Sequence, residues 1–319
     1  MRKLGQVLKK TAFILQIHKN PNQVNQFIQQ LIQNDLADVY IHIDKKSNIK
    51  DEIIKDSHVH ILEEQLNCEW GDISQVDCTL LLFKEVIKSG IDYDYVVLKS
   101  GQDLLVRDGL KDLFLEADDQ IYIKIKEETR RSLNMGLMMI NWPKIARKRY
   151  TNRHPVRMIR RLLLLLYRRG IHLFKNKNYW PEHYHFYNGS QWFSLPLDVV
   201  KYILDFLDEN KWYYQFFKNT LCPDEWFFQT LLMNSPYKSK VINENFVYLK
   251  WGVELEKRNS PELLSEMDIK DIGASKKFFA RKFDEKYNQA VIDYYVKRYS
   301  FQSKKLLYRN SQEEAPQVL

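Results

Sequence analysis

Four acidic residues stand where side chains commonly do chemistry. Asp44 follows the apolar run 39-VYIHI-43, and Asp103 closes Ser100-Gly101-Gln102 after a second apolar run, 95-YVVL-98. An acidic residue beyond the carboxyl end of a buried parallel strand is placed to accept hydrogen bonds from ribose hydroxyls. Asp224 and Glu225 follow Pro223 at the start of a helical pattern. A carboxylate there is either a cap, stabilised by about 0.3–1 kcal/mol from the exposed amides, or a proton acceptor for an attacking hydroxyl. The local residues leave both roles open. His18 and His42 close two strands with no third ligand at metal spacing, so they read as polar strand-end residues. His183 and His185, within 179-YWPEHYHFYNGSQW-192, read as an acceptor wall before a metal site. Cys68, Cys78 and Cys222 show no CxxC and no Cys/His metal spacing, which suits a reducing cytoplasm.

These side chains need a frame, and apolar periodicity predicts one. Thr11–Ile17 reads as a buried strand, and Pro21 opens a helix with Val24, Phe27, Ile28, Leu31 and Ile32 on one face. Val39–Ile43 is the next strand, completing a βαβ unit. Ser74 reads as the N-cap of a helix bearing Val76, Leu80, Phe83 and Ile87, closed by Gly90. Tyr95–Leu98 reads as a strand, and Ile121–Ile125 as a strand with one wet face. Gly189–Leu195 and Phe246–Trp251 are further strands, Val199–Leu207 a helix, and a helix runs from Pro223 to Met233. After Trp251 the chain reads as helical, with a polar tail after Asn310. The alternation implies an α/β fold with a mostly parallel central sheet flanked by helices, whose ligands bind beyond the strand ends.

With 49 Lys and Arg against 41 Asp and Glu, the net charge of +8 points to anionic partners. A non-catalytic nucleic-acid- or glycan-binding protein would share that charge, but no nucleic-acid motif appears. No apolar run reaches the roughly 20 residues that span a bilayer, and no leader pattern is seen. The expected location is cytoplasmic, or peripheral at the inner face of the membrane. Segment 147–169 has two readings: a helix buried on one side with snorkelling arginines, or contact with an anionic membrane surface.

Six stretches, 41-IHIDKKS-47, 70-WGDISQV-76, 94-DYVVLKSGQDLLV-106, 189-GSQWFSL-195, 223-PDEWFFQTLL-232 and 278-FFARKFD-284, occur in order. Together they resemble the core-2/I-branching β-1,6-N-acetylglucosaminyltransferase family (glycosyltransferase family 14), in its bacterial form. The resemblance implies a GT-A-type glycosyltransferase fold over residues 1–310, with a nucleotide-sugar half (about 11–130), an acceptor and catalytic half (about 131–290) and a C-terminal helix (291–310) before a flexible tail. It implies an inverting transfer from a UDP-sugar, with GlcNAc first and xylose as alternative, to a glycan or lipid-linked glycan acceptor. Surface polysaccharide synthesis is the expected setting. No metal cofactor is implied; Asp44 is followed by Lys45 and Lys46 where metal-using relatives of the fold carry a second carboxylate.

By the same resemblance Glu225 is the general base. Lys282 meets the leaving diphosphate, with Arg281 beside it. The family's further upstream arginine falls near Asn259, so Arg258 or Arg281 substitutes. Asp44, Trp70, Ser74 and Asp103 are expected on the nucleotide side. Gln191, Trp192, Asp224 and Trp251 are expected on the sugar and acceptor side, although the family's aromatic two positions after the tryptophan is Val253 here.

Overall fold

A computed structural model of the chain describes residues 9–129, 132, 134–252 and 261–303. In chain order its strands are β1 Thr11–Ile17, β2 Ala37–Ile43, β3 Val59–Ile61, β4 Tyr95–Ser100, β5 Leu104–Leu105, β6 Ile121–Ile123, β7 Lys126–Glu128, β8 Phe186–Asn188, β9 Phe193–Pro196, β10 Val241–Ile242, β11 Val247–Leu249 and β12 Phe279–Arg281. The helices are α1 Pro21–Ile32, α2 Ser74–Lys88, α3 Leu110–Glu116, α4 Met135–Met139, α5 Pro155–Arg168, α6 Leu197–Glu209, α7 Lys211–Phe217, α8 Phe227–Met233, α9 Ile269–Ser275 and α10 Gln289–Val296.

The central sheet runs β10-β6-β9-β4-β1-β2-β3. Strand β1 lies in its middle, parallel to β2 on one side and β4 on the other. Only β9 opposes its neighbours. The residues of β1 are almost all apolar because helices cover both faces: α1 buries Val24, Phe27, Ile28 and Leu31 completely, and α2 buries Val76, Leu82 and Phe83. Burying each such side chain is worth ~1.5–3 kcal/mol. The chain turns one way from β1 to β2 and the other way to β4, which leaves a crevice beyond the carboxyl ends of these strands. The architecture is mixed α/β with a mostly parallel sheet, as in GT-A-type glycosyltransferases. The core is continuous from Ala12 to Phe301. Among the described residues, no helix is long and apolar enough to cross a membrane.

Several expectations are corrected. Ser74 is the first residue of α2, and Asp72 Oδ1 accepts from its amide at 3.1 Å. Strand β6 is shorter than expected and wholly buried, because β9 and β10 flank it and neighbouring elements cover both faces. Pro223–Glu225 forms a separate 3₁₀ turn, broken from α8 at Trp226 (φ −131°, ψ −37°). Phe279–Arg281, expected in helix, is a strand: its buried Phe279 and Ala280 pair with β11 and β5. Of the expected C-terminal helix, α10 ends at Val296; residues 304–310 and the tail lie outside the described residues.

Candidate active site

The crevice collects the ends of β1, β2 and β4. Asp44 follows β2 and is nearly buried. Its Oδ1 accepts from the Lys46 amide at 2.9 Å, and its carbonyl accepts from Ser47 N–H at 2.8 Å. Lys46 lies 3.8 Å from Asp44 and reaches Glu69 at 3.2 Å, which ties the strand end to the segment carrying Trp70. His18, exposed at the end of β1, has its pKa held below the ordinary value by desolvation from the surrounding protein and by the neighbouring Lys19. Asp103 is completely buried, with Oδ2 accepting from the Ser100 amide (2.8 Å) and hydroxyl (2.7 Å). The turn before it presses against α1: a Cβ on Gly101 would come within 2.7 Å of Val24.

The antiparallel register of β5 and β12 sets Phe279 opposite Leu105 and Ala280 opposite Leu104. One step further, Arg281 comes to Asp103, with Nη1 and Oδ2 3.8 Å apart. The Arg281 guanidinium lies 4.0 Å over the Trp192 ring. It is buried, and its Nε and Nη1 have no hydrogen-bond partner in the protein. Unsatisfied buried donors on a cation are costly; Asp103 at 3.8 Å supplies the opposite charge beside them. Lys282 follows; burial and the charges of Arg281 and Arg149 push its pKa down to about 8. The segment is pinned to the turn before α1 by Lys19–Asp284 at 2.6 Å, and to α1 itself by Gln23 Nε2 donating to Phe283 O at 3.3 Å. Sequence reasoning missed Lys99. It is fully buried, its Nζ 4.4 Å from the Phe279 ring centroid, and burial with Arg281 nearby pushes its pKa down to about 7.

The second group is the carboxylate pair. Glu225 is reached by solvent, yet surrounding protein and the Asp224 charge push its pKa well above the ordinary carboxylate value. Burial lifts the Asp224 pKa as well. This corrects the expectation of a carboxylate stabilised by helix amides: the 3₁₀ turn stands apart from α8, so desolvation dominates. The Gly189 amide donates to Glu225 O at 2.8 Å, and Gln229 Nε2 donates to Ser190 O at 2.8 Å. The loop 189-GSQW-192 therefore carries the carboxylate turn at one end and, through Trp192, the Arg281 stack at the other. Gly189 has no room for a side chain, since a Cβ would meet Lys124 O at 1.8 Å.

Trp70 is 48% exposed, its ring 5.8 Å from the Arg160 guanidinium. The Ser74 hydroxyl accepts from the Glu69 amide at 2.9 Å and closes the loop around Trp70. Gln191 is half-buried. Trp192 is buried beneath Arg281, so it is a platform for the cation where an open sugar wall was expected. Trp251 is 54% exposed, bridged to Pro261, and no described contact ties it to either group. Arg258 and Val253 lie outside the described residues. The fold also gathers His42, Cys68 and Cys78, with ligating atoms within 4.8 Å of one another, which sequence spacing did not reveal. There His42 Nε2 accepts from the Leu66 amide at 2.8 Å, and burial pushes the Cys78 thiol well up.

The family model described as Branch, Core-2/I-Branching enzyme, matches residues 11–276. Xylosyltransferase 1 of Homo sapiens is 24% identical over 316 residues, covering 90% of this chain and 30% of its own length. Xylosyltransferase 1 of Rattus norvegicus is 24% identical over 309 residues (89% and 34%). Xylosyltransferase of Ciona intestinalis is 24% identical over 276 residues (80% and 30%). The chain spans about a third of the length of these relatives.

Proposed function

The chain belongs to the Core-2/I-Branching enzyme family, a family of glycosyltransferases, and from that premise we propose that it moves a sugar from a UDP-sugar to a glycan hydroxyl with inversion and without a metal. Glu225 takes the proton of the acceptor hydroxyl as that oxygen attacks the anomeric carbon. The bond from that carbon to the diphosphate oxygen breaks, and UDP leaves with the bonding electron pair. Arg281 and Lys282 meet the charge that develops on the diphosphate. Asp44 receives the ribose hydroxyls, and Asp103 orients Arg281. The transferred sugar in this reading is GlcNAc.

The observation that carries the reading is the connection of base and cation through one loop. The Gly189 amide donates to the backbone carbonyl of Glu225, and Trp192 of the same loop lies beneath Arg281, whose Nε and Nη1 have no hydrogen-bond partner in the protein. Metal independence in this reading rests on Arg281 and Lys282, whose charges would take the place of a cation on the diphosphate, and on the lysines that follow Asp44. Xylose is the second reading, favoured by the relatives named xylosyltransferases. Turnover of a panel of UDP-sugars, with and without EDTA, tests both. UDP-GlcNAc is expected to be consumed fastest and EDTA to change nothing. Preference for UDP-xylose would establish the second reading, and activity restored only by Mn²⁺ would overturn the metal-free mechanism.

A further inference from the structure

The α5 helix is turned opposite to what its composition suggests. Its inward side consists of Val156, Leu163, Leu164 and Tyr167, packed on a small cluster around Trp142 and Leu221, together with Arg160. Arg160 is the buried residue of the helix, donating to Ala146 O at 3.2 Å and Lys148 O at 3.3 Å. The outward side is apolar: Met158 is 59% exposed, Ile159 54%, Leu162 54% and Leu165 41%. At about 100° per residue these four side chains span an arc of about 120° beside Leu162. Arg157, Arg161 and Arg168 follow one edge of that arc. Beyond the helix, Ile171, Leu173 and Phe174 continue as exposed apolar residues, flanked by Arg169 and Lys175.

Charge is segregated in the same place. Between Glu128 and Glu182 the chain has fourteen Lys and Arg and no Asp or Glu; the remainder has 35 against 41, a net −6. The cations sense one another, since burial and the charges of Arg161 and Arg149 hold the Arg157 pKa down. An exposed apolar stripe edged by arginines on a net-positive segment is the pattern of a helix lying in the plane of an anionic lipid interface. Nucleic acid would satisfy the arginines but not the central Met, Ile and Leu side chains.

We propose that α5 docks the protein on an anionic bilayer surface, with Met158, Ile159, Leu162 and Leu165 at the acyl boundary and Arg161 and Arg168 among the headgroups. The inward side of this helix reaches the Trp70 ring through Arg160, at 5.8 Å. The docked helix thus lies between the bilayer and the segment that carries Trp70. The docking does not rest on the transferase reading.

Co-sedimentation of the full chain with vesicles containing phosphatidylglycerol, against vesicles of phosphatidylcholine alone, tests the docking. Wild type is expected to sediment with the former and not the latter. Arg161→Glu with Arg168→Glu should weaken partitioning at least tenfold, and Met158→Ser with Leu162→Ser and Leu165→Ser should abolish it. Both variants should keep UDP-sugar turnover with a soluble acceptor, which reports folding and the transferase reading separately. Wild type that ignores anionic vesicles, or an apolar-face variant that sediments unchanged, would overturn the proposal. A wild-type dimer that the Ser variant dissociates, or salt-sensitive RNA binding without vesicle binding, would do the same by assigning the face to another occupant.

Discussion

In this reading Glu225 has to be ionised to act as a base, yet the surrounding protein and the Asp224 charge hold its pKa above the ordinary carboxylate value. Turnover should therefore go on rising with pH, close to tenfold per unit, above the ordinary carboxylate range before it levels off. Glu225→Gln should lower kcat by about 10²–10⁴ and flatten the profile. In the same reading Lys282 must stay charged to meet the diphosphate, and burial beside Arg281 lowers its pKa to about 8. A bound diphosphate raises that pKa, so its deprotonation should appear as a rising donor KM above pH 8 more than as a fall in kcat. Arg281→Lys keeps the charge but loses the planar stack on Trp192 and the fork of donors. The donor kcat/KM should fall by about 10²–10³. Lys99 is a structural liability with a definite sign. Its folded pKa of about 7 lies below the unfolded value, so its cost is absent above about pH 10.4, grows as pH falls and is complete below 7. Lys99→Met should accordingly raise the melting temperature at pH 7, with the gain vanishing near pH 10.4; a variant less stable at pH 7 would contradict the assignment. Sequence made Glu225, Lys282 and Asp103 visible because they sit in motifs. Lys99 was invisible, because a lysine in a strand ordinarily faces water and only the packing of β12 encloses it.

Long apolar runs with punctuation were legible at the scale of elements. Strand β1 ends at Ile17 as read, and α1 begins at Pro21, because continuous burial and a proline leave few alternatives. The two- and three-residue strands β5 and β12 were not legible. Their stability comes from pairing with distant partners and not from local preference: Phe279 pairs with Leu105, more than 170 residues away, and β12 also pairs with β11. The facing of α5 was equally hidden, since Leu162–Leu166 is continuous and gives no period. The loop 189-GSQW-192 is the element on which the site depends most. Gly189→Ala drives a methyl group into Lys124 O, and the loop must move with both the Glu225 turn and the Trp192 platform. A displacement of about 1 Å in a positioned base costs on the order of 10²-fold in rate. Steady-state kinetics should show that fall in kcat while thermal melting shifts by only a few degrees; a variant with wild-type kcat would show that the loop does not hold the base.

The whole molecule divides its labour along the sheet. The strands beyond β1 gather Asp44, Asp103 and the Arg281 and Lys282 cations, while the segment between Glu128 and Glu182 holds the excess positive charge and the outward apolar side of α5. The family could be read from six ordered motifs, but the join of base to cation through a single loop needed the fold. The claim at the centre is an inverting, metal-free transfer that uses Glu225 as base. Its most direct test follows the anomeric proton by NMR during turnover of a UDP-sugar with a glycan acceptor in EDTA. The account predicts that the α-linked donor signal gives way to a β-linked product with wild type, and that Glu225→Gln leaves the donor intact. An α-linked product, turnover that needs added Mn²⁺, or full activity in Glu225→Gln would contradict it.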